Sequence, residues 1–286
     1  MLIVYYSRGD MAWQRLSVRE GQIPVDTPFE GVPPHLSYPL QHWLEGMFGY
    51  RGPGGMSKDL MMDVANSIRL PLRPSSRGVF DGVEMQRQIF AICSRDQEVF
   101  LDVVDATLHL KRGRKADDLR KVLEVGASAW TVADNNLSLE RRVEPTAKLA
   151  AQMAMSPQDE ASEELRVAWS AAYGREPDPS DAWDHAIKAA EAVLVPLVVP
   201  NQAKPQFGHV LGQLKNQGNL WFLELPGQNL HHDVAPLVEM LSLLWPNPDR
   251  HANGQGRQPT LEEAQAVVHL AVTIVQWARS GVLKKR

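Results

Sequence analysis

Apolar positions recur at helical spacing along most of the 286-residue chain, most regularly in its C-terminal half. Leu165, Ala168, Trp169 and Ala172 share one helical face, and so do Ala182, Ala186, Ala189, Val193, Leu194 and Leu197. Phe207, Val210, Leu211 and Leu214 mark a shorter helix. Leu230, Val234, Leu237, Val238, Leu241 and Leu244 predict a fourth, and Leu261, Ala264, Val268, Ala271 and Val275 a fifth. Five amphipathic helices with short connections predict a C-terminal helical bundle. Helix starts are also visible. Ser156-Pro157-Gln158-Asp159 and Asp178-Pro179-Ser180-Asp181 each offer a capping side chain, a proline for the first helical position and an acid for the first turn. Thr260-Leu261-Glu262-Glu263 is a capping box.

The N-terminal half is less regular. Residues 1–36 hold few periodic apolar positions and include Pro33-Pro34, so irregular structure is expected, opening with a short strand. Leu40, Trp43, Leu44 and Met47 then predict a helix that stops at Arg51-Gly52-Pro53-Gly54-Gly55. Ser57 is placed to cap a second helix carrying Leu60, Met61, Val64 and Ile68, and a Pro/Ser/Gly-rich loop follows over 71–82. Further helices are predicted near 83–94, 96–110 and 115–126. Over 128–143 the period changes. Trp130 and Val132, then Leu137, Leu139, Arg141 and Val143, alternate around Asp134-Asn135-Asn136, which is a β-hairpin pattern. The predicted organisation is therefore a mostly helical region over 1–127, a hairpin and connecting segment over 128–155, and a helical bundle over 156–286.

Composition narrows the function classes. Hydrophobic residues at 44% and charged residues at 22% describe an ordinary globular chain rather than a disordered one. A formal net charge of −4 argues against a general nucleic-acid coater, while leaving local basic patches open. A single cysteine, Cys93, excludes an intramolecular disulfide framework and any multi-cysteine zinc site, and it sits in a predicted helix as an apolar filler. The opening Met1 to Tyr6 lacks a basic leader and turns polar at once, and no apolar run reaches the ~18–20 residues of a membrane span. A cytoplasmic protein is expected, with no membrane partner and no cofactor.

One polar break stands out. Trp245 to Gly254 interrupts two apolar helical segments with Pro246, Asn247, Pro248, Asp249, Arg250, His251, Ala252 and Asn253. A neutral imidazole such as His251 can take a proton from one oxygen and return it to another, as cleavage of an RNA phosphodiester by its 2′-hydroxyl requires. Arg250 and Arg257 are placed to offset the charge developing on phosphorus, beside the positive end of the helix starting at Thr260. Asn247 suits orienting the imidazole or holding the loop. A plain surface turn uses the same residue types.

Other clusters are weaker. His231-His232-Asp233 lacks further ligands at metal spacing and reads as structural or capping, and Asp181, Asp184 and His185 read as a solvated helix face. Lys111-Arg112-Gly113-Arg114-Lys115, with Arg120 and Lys121, is the densest basic run, open to phosphate contact or to solvent as an inter-helix loop. The glycine-rich run at 51–55 lacks the Lys-Ser/Thr ending of a phosphate loop, and no Gly-x-Ser-x-Gly elbow occurs.

The segment from about 158 to 281 resembles the C-terminal domain of abortive-infection proteins, in the HEPN superfamily of helical ribonuclease and RNA-binding domains. The likeness rests on the helix Ala182 to Pro200 with its alanine-glutamate pair before an apolar end, on Phe207 to Leu214 as the short helix after it, and on Asp249-Arg250-His251 with Gly254 ahead of an Ala/Val-rich helix. Asn247 and His251 keep the spacing of the family's Asn and His, while Pro246 stands where the family has Arg. The resemblance implies a HEPN-like bundle in a symmetric homodimer, and a defence- or toxin-type protein acting on RNA. His251, Arg250 and Asn247 would be its metal-independent endoribonuclease residues, and Arg257 and Lys215 would contact RNA. With Pro246 in the arginine position, the alternative it implies is a non-catalytic module that binds RNA or protein. No family resemblance is seen in residues 1–145.

Overall fold

The computed structural model describes residues 16–20, 28–49, 55–74, 78–227, 230–249 and 257–286. The chain is mainly helical, with two small two-stranded antiparallel sheets among the described residues. It divides into two compact units, one within residues 8–142 and one containing 143–286.

The N-terminal unit holds α1 (Leu16–Arg19), α2 (Pro34–Phe48), α3 (Lys58–Ser67), α4 (Gly82–Cys93), α5 (Gln97–Leu110), α6 (Ala116–Val125), β1 (Trp130–Val132) and β2 (Leu139–Arg141). Its helix starts follow from side-chain chemistry. Ser57 accepts from the Leu60 N–H, and Asp81 and Asp96 each accept from two backbone N–H groups of the turn they open, contributing about 1 kcal/mol apiece. The core of this unit joins Leu40, Trp43 and Phe48 of α2 to Met61, Ile89, Phe100, Val104 and Leu119. The hairpin forms where the alternation predicts it, with Trp130 opposite Arg141 and Val132 opposite Leu139. Trp130, Val132 and Leu139 are buried in the same core, and the Leu139 N–H donates to Asp105 of α5. Cys93 is buried too, and that burial pushes its thiol up to about 12.

The C-terminal unit holds α7 (Pro145–Met155), α8 (Glu160–Tyr173), α9 (Pro179–Val198), α10 (Phe207–Asn216), a 3-10 turn (Gly218–Leu220), β3 (Trp221–Leu223), α11 (Ala235–Leu244), α12 (Leu261–Ser280) and β4 (Leu283–Lys285). Helices α8, α9 and α12 pack on faces built largely from alanine: Ala161, Ala168, Ala172, Ala182, Ala186, Ala189, Ala190, Ala264 and Ala271 are all buried. Small side chains let helix backbones approach closely, and the bulk comes from Trp169, Tyr173, Trp183 and Phe207 around them. Glu191 of α9 accepts from the Phe207 N–H at 2.5 Å and so caps α10 from a neighbouring helix.

Three sequence expectations are corrected here. Ser156 does not open the first bundle helix: it ends α7, its hydroxyl donating to the Met153 carbonyl, and Asp159 caps α8 by accepting from the Ser162 N–H. The carboxylate does more than a hydroxyl can, because it also receives the Arg279 guanidinium at 2.7 and 2.8 Å. Second, α11 starts at Ala235, five residues after Leu230. Leu230 and His232 have φ of 57° and 54°, outside helical geometry, and Leu230 is 73% exposed. Third, β3 pairs with β4, Leu223 facing Leu283, an element with no counterpart in the expected bundle. The helix α7, inside the segment expected to be connecting chain, is a further addition; Pro145 at its first position and Glu144 accepting from the Ala147 N–H define its start. No helix among the described residues is long and apolar enough to cross a membrane.

Candidate functional site

The polar break leaves α11 at Leu244 and enters α12 at Leu261. Its first residues are fastened to α9. The Leu244 carbonyl accepts from the buried Trp183 indole N–H at 2.7 Å. Trp245 lies beside Phe207 with ring centroids 6.4 Å apart and leaves only van der Waals room over Gly208, where an added Cβ would sit 3.4 Å from the indole. Asn247 is 2% exposed and makes the main polar tie: its Nδ2 donates to Asp184 Oδ1 at 2.8 Å and to the Ser180 carbonyl at 3.4 Å, and its Oδ1 accepts from the Asp249 N–H at 3.2 Å. Both ends of its amide are therefore engaged in holding the loop against the first turns of α9. Asp184, expected on a solvated face, is part of this anchor.

Asp249 adds an unusual feature. Its Oδ1 is buried without a hydrogen-bond partner among the described residues. A buried acceptor left unmatched is costly. Arg250 and His251 follow directly in sequence and lie outside the described residues.

At the far end the loop is fixed again. Thr260 accepts from the Glu263 N–H and Glu263 accepts from the Thr260 N–H, the predicted capping box. Arg257 closes on the same carboxylate with two parallel bonds of 2.7 and 2.6 Å. Hydrogen bonding from Arg257, helped by the Thr260 N–H, holds the Glu263 carboxyl down at about 2. The Arg257 guanidinium is thus paired within its own turn. Lys215 stands exposed in the last turn of α10, with no ion-pair partner among the described residues.

Three further sets of polar links in this unit join residues mostly distant along the chain. His185 joins Glu164 of α8 through Nδ1 and faces Asp181 through Nε2 at 3.4 Å. Tyr173 and His269 Nε2 are bonded at 2.8 Å between α8 and α12. Burial raises the Tyr173 phenol and lowers the His269 imidazole, so the neutral pair is favoured and the phenol is the donor. Arg279 reaches Asp159, the Ala154 carbonyl and the Ser162 hydroxyl. At the other proposed cluster, His232 Nδ1 bonds the Leu223 carbonyl and its ring stacks on Phe222 at 4.2 Å, while Asp233 accepts from the Ala235 N–H. These are structural and capping roles. Among the described residues no group of three or more His, Cys, Asp or Glu side chains is arranged to hold a metal ion.

Comparison with known proteins gives no match. No family model, no curated protein and no solved structure is similar to this chain at a significant level.

Proposed function

We propose that the C-terminal unit is a HEPN-like bundle of a defence- or toxin-type protein and that its 245–256 loop cleaves RNA without a metal. The observation that carries the reading is the fastening of this loop at both ends, by Asn247 and Trp183 on one side and by the Thr260–Glu263–Arg257 cluster on the other. Anchored flanks suit a chemical role for the segment between them, since proton transfer at a phosphodiester demands restricted geometry. In this reaction His251 removes the 2′-hydroxyl proton as that oxygen attacks phosphorus and returns a proton to the departing 5′-oxygen. Arg250 offsets the charge on the non-bridging oxygens. Asn247 acts by positioning the loop, and a second copy of the chain brings a second loop to the RNA.

The test is cleavage of total RNA by the full chain in EDTA, compared with His251→Ala. Cleavage by the parent and none by the variant supports the reading; equal cleavage by both overturns it.

A second reading, a non-catalytic module binding RNA or protein, is favoured by two specific observations. The Asn247 amide is engaged with Asp184, Ser180 and Asp249, and the Arg257 fork is engaged with Glu263. With Pro246 in the family's arginine position, Arg250 is left as the only cation adjoining His251. Absence of cleavage together with tight RNA binding would select it.

A further inference from the structure

The basic run between α5 and α6 concentrates exposed positive charge on one turn. Residues 111–121 carry six cations, Lys111, Arg112, Arg114, Lys115, Arg120 and Lys121, against two carboxylates, in a chain whose net charge is −4. Arg120 is taken up by Asp117 and by Asn136 Oδ1. Among the described residues the other five have no carboxylate at ion-pair distance, and Arg112, Arg114, Lys115 and Lys121 are exposed.

The loop is tied to the hairpin and to α2. Gly113 has φ 73° and lies against the hairpin turn, where an added Cβ would come within 2.8 Å of the Asn136 carbonyl oxygen. The Lys115 carbonyl accepts from the Trp43 indole at 3.0 Å. Arg112 and Lys115 themselves occupy left-handed backbone, φ 49° and 56°, which L side chains disfavour and glycine or asparagine tolerate. Lys115 is also the N-cap of α6 and makes no capping hydrogen bond. Left-handed backbone also occurs at Arg69 and Lys204, so what sets this turn apart is the number of exposed cations it carries together.

We infer that the 111–115 loop of the N-terminal unit is a phosphate-backbone contact for single-stranded RNA. Three cations of this compact turn, Arg112, Arg114 and Lys115, are exposed, enough to meet about three phosphates of a strand. Unpaired, exposed guanidinium and ammonium groups on a fixed loop suit that ligand, since they lose no internal ion pair on binding. The inference rests on RNA being the ligand of this protein, but not on its cleavage.

The test uses the full chain carrying His251→Ala, in EDTA, and a fluorescein-labelled 20-nucleotide oligouridylate. Binding is followed by anisotropy between 50 and 200 mM KCl. Replacing Lys111, Arg112, Arg114 and Lys115 together with Gln is expected to weaken binding at least tenfold at 50 mM and to reduce the slope of log Kobs against log salt by about 2, at about 0.7 per lost phosphate contact. The same neutralisation of Lys58, Arg69, Arg95 and Lys204 is expected to leave the slope unchanged. No binding by the parent, a loop variant within twofold of it, or an equal loss in the control variant overturns the inference. So does unchanged RNA binding when the loop variant loses binding to phosphatidylserine vesicles. Lys115→Asn guards against misfolding: it is expected to raise the melting midpoint, since asparagine tolerates the left-handed backbone of this position, while lowering the salt slope by about 0.7, and an unchanged slope counts against the inference. RNA binding through this loop without cleavage by the wild-type chain refutes the nuclease reading alone; cleavage with an unaltered loop-variant slope refutes the loop alone.

Discussion

Asn247 Nδ2 lies 2.8 Å from Asp184 Oδ1, and this bond ties the start of the α11–α12 loop to the second turn of α9. Asn247 is buried, so its removal costs more than a surface contact would. Asn247→Ala is expected to destabilise the protein by about 1–3 kcal/mol, read as a lower urea midpoint at constant m-value. Asn247→Asp brings a second carboxylate against Asp184 and is expected to be worse at neutral pH than at pH 4. An Asn247→Ala protein with parental stability and lost RNA cleavage would instead place the amide in the chemistry.

Glu191 gives a pH-dependent prediction. Burial raises its carboxyl above the ordinary 4.5, despite the Phe207 N–H that favours the ionised form. Its ionisation in the folded protein is thus a cost that sets in as pH rises through the raised value, and is absent below 4.5, where the folded and unfolded states are both protonated. Glu191→Gln keeps an acceptor for Phe207 and removes the charge. Urea unfolding is expected to show the variant more stable than the parent at pH 8 and equal to it at pH 4. A loss of stability at pH 8 would mean that the charge itself is needed to cap α10.

The Tyr173–His269 pair predicts the opposite acid behaviour. Burial holds the His269 imidazole below its ordinary 6.5, so the unfolded chain takes up a proton first as pH falls. The stability contributed by the neutral pair is complete above 6.5 and is lost progressively as pH drops from 6.5 through the lowered value. His269→Gln still accepts from the Tyr173 hydroxyl and is expected to flatten this part of the stability profile. An NMR titration placing His269 at or above 6.5 would contradict the burial argument.

Local chemistry in the sequence specifies much of this fold. Ser57, Asp178 and Thr260 cap the helices assigned to them, because a cap needs only residues two or three positions apart. The N-terminal hairpin follows from alternation around Asn136, whose φ of 61° suits asparagine. The misses share a cause. Ser156 and Asp159 are both competent caps, and the choice between them is made by Arg279, 120 residues beyond Asp159. Likewise, three-residue strands such as Trp221–Leu223 carry no periodic signal, and their pairing depends on Leu283 far along the chain. At the candidate site, proximity in sequence singled out Asn247, but its partners Asp184 and Ser180 lie more than sixty residues earlier. The residue was visible; its role as an anchor was not.

The pairing of β3 with β4 bears on how the protein is made. Leu283 is buried beside Trp221 and Leu223, and the Arg286 side chain binds the Trp221 and His231 carbonyls. These contacts close a span of about sixty residues. While the ribosome is still adding residues 283–286, Trp221 has no strand to cover it and the bundle lacks its final layer. The C-terminal unit therefore completes its folding only after those residues have been synthesised and have emerged, whereas the N-terminal unit has all of its elements in hand long before.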